Sequence, residues 1–86
     1  MKVSVYDTYV PKKENITMHF DILVEENSTL EEVYSYGAKY LKDKGLKGLK
    51  LSTNECEFCH IETAPKEVED EIKNWGYSII EMENCD

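Results

Sequence analysis

Three cysteines and a histidine are the residues of this sequence whose types and spacing are best suited to chemistry. Cys56, Cys59 and His60 form a Cys-x-x-Cys-His motif, and Cys85 stands near the end of the sequence. Two intervening residues let both sulfurs of the motif reach one centre or reach each other. Four ligands drawn from thiolate and imidazole are typical of tetrahedral zinc sites. One hypothesis is therefore a zinc site whose ligands are Cys56, Cys59, His60 and Cys85.

Other interpretations of the same motif stay open at this level. Neighbours in an extended segment point in opposite directions, so His19 or Glu62 is an alternative to His60 as a ligand. The Cys56-x-x-Cys59 pair also fits a thiol-based redox protein in which His60 activates one thiolate. Cys-x-x-Cys-His is the signature of covalent haem attachment, which usually follows export. Finally, buried cysteines often serve only as small packing residues.

A second candidate site comprises Tyr6, Asp7, His19 and Asp21. These residues fall on two segments that we predict to form a hairpin. A symmetric pairing about the intervening loop places Asp7 opposite His19, where a carboxylate can orient an imidazole. A structural histidine with satisfied hydrogen bonds is the simpler interpretation of this arrangement.

Hydrophobic periodicity predicts the first three elements that position these residues. Residues 2–10 and 16–24 alternate apolar and polar side chains as strands do, and the polar loop 11–15 joins them in an antiparallel hairpin. The segment 28–31, Ser-Thr-Leu-Glu, has the form of a capping box and predicts a helix start. Gly45 supplies a left-handed residue at which that helix ends.

The rest of the chain predicts a strand, a helix and a last strand. A short strand at 49–53 leads into the cysteine loop, a helix runs from Pro65 to Trp75, and a strand follows at 77–82. The order ββαβαβ indicates an α+β fold, a mixed β-sheet with two helices packed against it, in a single domain that spans residues 1–86. Parallel pairing of the last two strands would bring the cysteine loop and Cys85 to one edge of the sheet.

Composition narrows the classes of function. Lys and Arg number 10 and Asp and Glu number 18, so the formal net charge of −8 opposes binding to nucleic acid. The sequence contains no apolar run long enough for a membrane span or a signal peptide, which favours the cytoplasm, where thiols stay reduced. A Ser-His-acid triad and a phosphate-binding glycine loop are also missing. We therefore expect a binding or regulatory module rather than an enzyme, with an unknown protein or small molecule as its partner.

Several segments together resemble a known family. They are YDTYV at 6–10, MHFD at 18–21 and CEFCH at 56–60, accompanied by Gly76-Tyr77 and by Met82 and Cys85 near the end. The family is a group of small bacterial domains of unknown function, DUF2024, and the resemblance covers almost the entire chain. It implies a compact α+β domain and brings with it no established activity, cofactor or catalytic residue. A serine that often follows the motif histidine in that family is replaced here by Ile61.

Overall fold

A computed structural model describes residues 1–46 and 51–86 of the chain. The elements follow one another as β1 (Lys2–Lys13), β2 (Ile16–Glu25), α1 (Leu30–Asp43), β3 (Cys56–Thr63), α2 (Lys66–Trp75) and β4 (Tyr77–Glu83). The predicted α+β class and the order ββαβαβ are therefore confirmed. Within the described ranges, neither helix is long and apolar enough to cross a membrane.

β1 and β2 form the predicted hairpin, but with a tighter turn than the sequence indicated. β1 extends to Lys13, into the segment predicted as a loop, and β2 begins at Ile16 as predicted, so only Glu14 and Asn15 form the turn. Asn15 has φ of 63°, in the left-handed region that asparagine tolerates better than most residues. A register shift between Pro11 and Lys13 brings the two strands into their final pairing.

The sheet has the strand order β3-β1-β2-β4, and each of these three pairings is antiparallel. The predicted mixed sheet, in which the last two strands would run parallel, is therefore wrong. The hairpin β1–β2 occupies the centre, and the consecutive buried residues Ile22, Leu23 and Val24 of β2 are covered on both faces of the sheet. As a result β3 and β4 lie on opposite edges of the sheet.

Each helix covers one face of the sheet. Because side chains alternate along a strand, even-numbered residues of β2 such as Phe20 and Ile22 pack against α1, whereas Leu23 packs against α2. α2 has 10 residues, about 15 Å of helix, against 12 residues and about 40 Å of strand in β1. α2 is therefore too short to span the sheet. Its buried residues Val68 and Ile72 contact only the half of that sheet face that is remote from the hairpin turn.

The start of α1 is shifted by one residue from the prediction. Thr29, not Ser28, is the N-cap: its hydroxyl accepts a hydrogen bond from the backbone N–H of Glu32 at 3.2 Å, and its own N–H donates to the Glu32 carboxylate at 2.9 Å. The sequence fits a capping box at both positions, because Glu31 and Glu32 are adjacent. Gly45 lies just past the helix with φ of 87°, in the left-handed conformation predicted there.

The strand predicted at 49–53 is not found where the structure describes the chain. Residues 49 and 50 lie outside the described ranges, and residues 51–53 form no strand. A turn replaces it, in which the N–H of Cys56 donates to the carbonyl of Ser52 at 2.9 Å. The third strand begins only at Cys56, so the cysteine motif lies in a strand and not in a loop.

Gly76, the left-handed residue that ends α2, gives a stability prediction. Its φ is 91°, and a Cβ there would come 2.6 Å from the hydroxyl of Tyr36, whose ring stacks on Tyr77 at 4.7 Å. We expect Gly76→Ala to lower the free energy of unfolding by about 1–2 kcal/mol, through backbone strain and this clash. Gly45→Ala is the matched control, because its φ is 87° and no atom of the described residues lies within 4 Å of a Cβ there. Urea unfolding should show the larger loss for Gly76→Ala; equal losses would mean that the Tyr36 contact contributes nothing.

Candidate metal centre

The cysteine motif forms an edge strand in which its two sulfurs point to opposite faces. Cys56 is only 1% exposed, packs on the α1 side and accepts a hydrogen bond from the hydroxyl of Thr8 at 3.4 Å. A β-bulge opposite Val5 and Tyr6 interrupts the pairing and places Cys59 and His60 side by side. Cys59 is exposed, with its Sγ 3.1 Å from Nδ1 of His60.

The predicted four-ligand zinc set is therefore not assembled. Cys85 is buried in the same apolar cluster as Cys56, and its thiol donates to the carbonyl of His19 at 3.4 Å. Cys59 and His60 lie on the other side of the sheet, where Nε2 of His60 is 3.2 Å from the Glu62 carboxylate. The last strand lies on the opposite edge of the sheet from the motif strand, so the predicted approach of Cys85 to Cys56 and Cys59 does not occur.

The environments of the motif thiols do not favour redox or haem chemistry. Burial raises the pKa of Cys56, and the nearby charge of Asp7 adds to the effect. Loss of solvation, followed by the negative charge of Asp7 and Asp21, also raises the pKa of Cys59. Raised pKa values keep thiols protonated at neutral pH, so neither sulfur is activated as a nucleophile. The burial of Cys56 also leaves no access for covalent haem attachment.

Three of the four residues in the second predicted site converge on the face that α2 leaves uncovered. Nε2 of His19 lies 3.8 Å from a carboxylate oxygen of Asp7 and 3.8 Å from one of Asp21. All three ligand atoms lie within 4.8 Å of one another. Tyr6 does not belong to this group, because its side chain is buried in the core on the α1 side. We call Asp7, His19 and Asp21 the acid–histidine cluster.

The strand register explains how the cluster forms. Asp7 is opposite Asp21 and His19 is opposite Tyr9, so the predicted direct pairing of Asp7 with His19 is wrong by two residues. A shift of two residues keeps every side chain on its predicted face, so the three groups still meet. The ring of Tyr9 stacks on His19 at 4.2 Å with an interplanar angle of 11°. Tyr9 was not predicted as part of the site; its i, i+2 spacing from Asp7 was the available signal.

Two atoms of the cluster are buried without a hydrogen-bond partner in the parts of the chain that the structure describes. They are Nε2 of His19 and Oδ1 of Asp21, and the 3.8 Å between them is too long for a hydrogen bond. Asp21 is only 8% exposed. Burial and the neighbouring Asp7 raise its pKa to about 6, although His19 and His60 partly oppose the effect. Buried polar atoms in folded proteins almost always have partners, so this arrangement calls for a group between the side chains.

A metal ion fits the size and chemistry of this gap. An ion between donor atoms 3.8 Å apart can lie about 2.2 Å from each of them, which is close to the length of zinc bonds to nitrogen and carboxylate oxygen. One imidazole nitrogen with two carboxylates suits Zn²⁺ and other divalent transition ions, whereas Ca²⁺ and Mg²⁺ prefer oxygen ligands alone. The acid–histidine cluster can therefore supply three ligands to such an ion.

Comparison with known proteins places the chain in a family. No curated protein matches it at a significant level. The chain is similar to protein NE1680 from Nitrosomonas europaea, whose NMR structure shares 38% sequence identity with it, with 100% of each chain covered and a TM-score of 0.85. The family model described as "Domain of unknown function (DUF2024)" matches residues 1–82, a range that includes the whole acid–histidine cluster. The chain therefore belongs to the DUF2024 family.

Proposed function

We propose that this domain is a binding module for a divalent transition-metal ion, held by Asp7, His19 and Asp21 on the open face of the sheet. The observation that carries the proposal is the pair of buried atoms, Nε2 of His19 and Oδ1 of Asp21, which face each other at 3.8 Å without partners among the described residues. An ion bonded to both would satisfy them and offset the cost of burying the Asp21 carboxylate. Zn²⁺ is the ion we assign, because it accepts this mixed ligand set.

Each residue of the cluster has a defined role in this proposal. His19 supplies the imidazole nitrogen, and its stack against Tyr9 limits rotation of the ring. Asp7 and Asp21 supply carboxylate oxygens that neutralise the charge of the ion. All three side chains project from β1 and β2, the two central strands of the sheet. Three protein ligands leave a fourth zinc position for an external group, as expected for a module that binds a protein or small-molecule partner.

The composition supports the proposed location of the domain and the proposed class of ligand. The domain acts in the cytoplasm, where the free thiols of Cys56, Cys59 and Cys85 are kept reduced. A formal net charge of −8 favours metal cations and disfavours nucleic acid as a ligand. The redox alternative has no comparable support, because the sulfurs of Cys56 and Cys59 point to opposite faces.

A metal-binding experiment with two histidine variants tests the proposal. Protein stripped of metal with a chelator should bind one equivalent of zinc in isothermal titration calorimetry, and native mass spectrometry should show the same stoichiometry. We expect His19→Ala to weaken zinc binding by about 100-fold or more, because it removes the only imidazole of the cluster. His60→Ala is the matched control: His60 contacts Cys59 and Glu62 and acts on Asp21 only through its charge, so its replacement should change zinc affinity far less than His19→Ala does.

The contrary outcomes separate the two candidate sites. Binding that survives His19→Ala but is lost in His60→Ala or Cys56→Ser would assign the metal to the cysteine motif instead. Failure of the wild-type protein to bind zinc at millimolar concentration would refute the proposed function altogether.

A further inference from the structure

The two edges of the sheet differ in how well they are protected against an additional strand. β3 is interrupted in its middle by the bulge opposite Val5 and Tyr6. β4 pairs regularly with β2 from Tyr77 to Ile80, and its register shift comes only near Glu81. No strand of the described ranges covers its outer side. Bulges protect sheet edges against pairing, so the first half of β4 is the better template for an added strand.

A groove of about 290 Å³ runs along this regular part of β4. Because the helices lie on opposite faces of the sheet, they form its two walls: Lys39 and Tyr40 from α1, and Glu71 and Trp75 from α2. Tyr77 and Ile79 of β4 lie between them. Trp75 is 71% exposed, which is unusual for a large aromatic side chain and frequent at binding surfaces. A strand added to β4 would place an apolar side chain in this groove.

The other end of β4 is acidic. Glu81, Glu83 and Asp86 line the surface beyond the groove. Lys44 pairs with Glu81 at 2.8 Å, and Lys12 donates to the backbone carbonyls of Asn84 and Asp86, whereas the salt bridges found within the described residues include none to Glu83. A segment that follows β4 to this end therefore meets negative charge and should itself be basic. A second copy of this chain is a poor occupant, because each copy carries a formal net charge of −8.

We propose that the β4 edge binds an extended, basic segment of a partner protein as an added antiparallel strand. Backbone hydrogen bonds to β4 supply affinity in this mode, and side-chain pockets supply specificity. Antiparallel pairing fixes the order in which basic and apolar residues follow one another along the segment. Its lysine or arginine residues come first and lie near Glu83, and its apolar residue follows and enters the groove beside Tyr77 and Trp75. This interaction is independent of the metal site.

Two capped synthetic peptides test the proposal against ¹⁵N-labelled full-length protein by NMR. One has three lysines followed by six alternating valines and threonines, and the other has three glutamates in place of the lysines. We expect the lysine peptide to shift the backbone amide signals of residues 77–80 and the glutamate peptide to bind about tenfold more weakly or not at all. Trp75→Ala should weaken lysine-peptide binding by about tenfold, as loss of an aromatic anchor commonly does. Ile61→Ala, an exposed position on the opposite edge strand, should leave it unchanged.

Several results would overturn the proposal. They are signal changes confined to β3, equal binding of the two peptides, and an unchanged dissociation constant for Trp75→Ala. Amide shifts of β4 that depend on protein concentration without peptide would show that a second copy occupies the edge. Because Trp75 is mostly exposed, its replacement should not unfold the domain, and the amide spectrum of the variant checks this directly.

Discussion

Asp21→Asn is expected to stabilise the metal-free protein and to abolish its response to zinc. Burial and the neighbouring Asp7 raise the pKa of Asp21 to about 6 in the folded state, above the value of about 3.9 for an exposed aspartate. The folded state therefore binds this proton more tightly than the unfolded state does. The free energy of unfolding falls as the pH rises from about 4 to about 6, and the loss persists at pH 7. Asparagine removes the buried charge and should regain about 1 kcal/mol once solvent screening is considered.

Zinc should reverse the order of stability of these two proteins. At a zinc concentration 100 times the dissociation constant, the wild-type protein gains about 2.7 kcal/mol, which corresponds to a rise in Tm of about 10 °C or more for a domain of this size. Asp21→Asn lacks one of the two carboxylates and should gain little. Thermal unfolding followed by circular dichroism, at pH 7 with and without zinc, measures both effects.

The pH dependence separates the two parts of this prediction. Below about pH 3.5, Asp21 is largely protonated in the folded and unfolded states, so the difference between the metal-free proteins should shrink. If metal-free Asp21→Asn is less stable than wild type at pH 7, the Asp21 carboxylate is not the destabilising group. If zinc still stabilises Asp21→Asn fully, Asp21 is not a ligand.

The elements of this fold were predictable because each has a local signal, whereas the sheet order was not. The alternation in residues 16–24 requires a strand, and the segment 28–32 contains a capping box in either of two registers. Pairing of β3 with β1 joins residues such as Thr8 and Cys56, which are far apart in the sequence. No local pattern specifies such a neighbour. A strand-helix-strand order suggested parallel pairing, but the apolar hairpin takes the central position and separates the last two strands.

For the candidate sites, too, only the features with a local signal in the sequence could be predicted. Asp7, His19 and Asp21 were predicted together because the alternation of side chains along a strand assigns all three to one face. A register shift by an even number of residues keeps them there. Convergence of Cys56 and Cys59 depended instead on the motif forming a loop. In a strand, residues three apart point to opposite faces, so the change from loop to strand separates the two sulfurs.

Phe20→Ala is expected to cause the largest loss of stability, about 3–5 kcal/mol of the free energy of unfolding. Phe20 is fully buried, and its ring centroid lies 4.6 Å from that of Tyr40, so it joins β2 to α1. A domain of 86 residues has about 4–13 kcal/mol of stability in total. Removing the ring leaves a cavity in the core, because β2 is paired with a strand on each side and Phe20 is fully enclosed. Urea unfolding should therefore show a much lower midpoint, and part of the protein should be unfolded without denaturant.

Phe20→Leu is the variant that separates core packing from the metal site. It keeps most of the apolar volume, and we expect a loss of about 1–2 kcal/mol. Phe20 stands between His19 and Asp21 in the sequence but points to the opposite face of the sheet. Phe20→Leu should therefore bind zinc with the affinity of the wild type despite its lower Tm. If Phe20→Leu loses as much zinc affinity as His19→Ala, the two faces are coupled through the β2 backbone, and the cluster is not the independent site that its position on the open face implies.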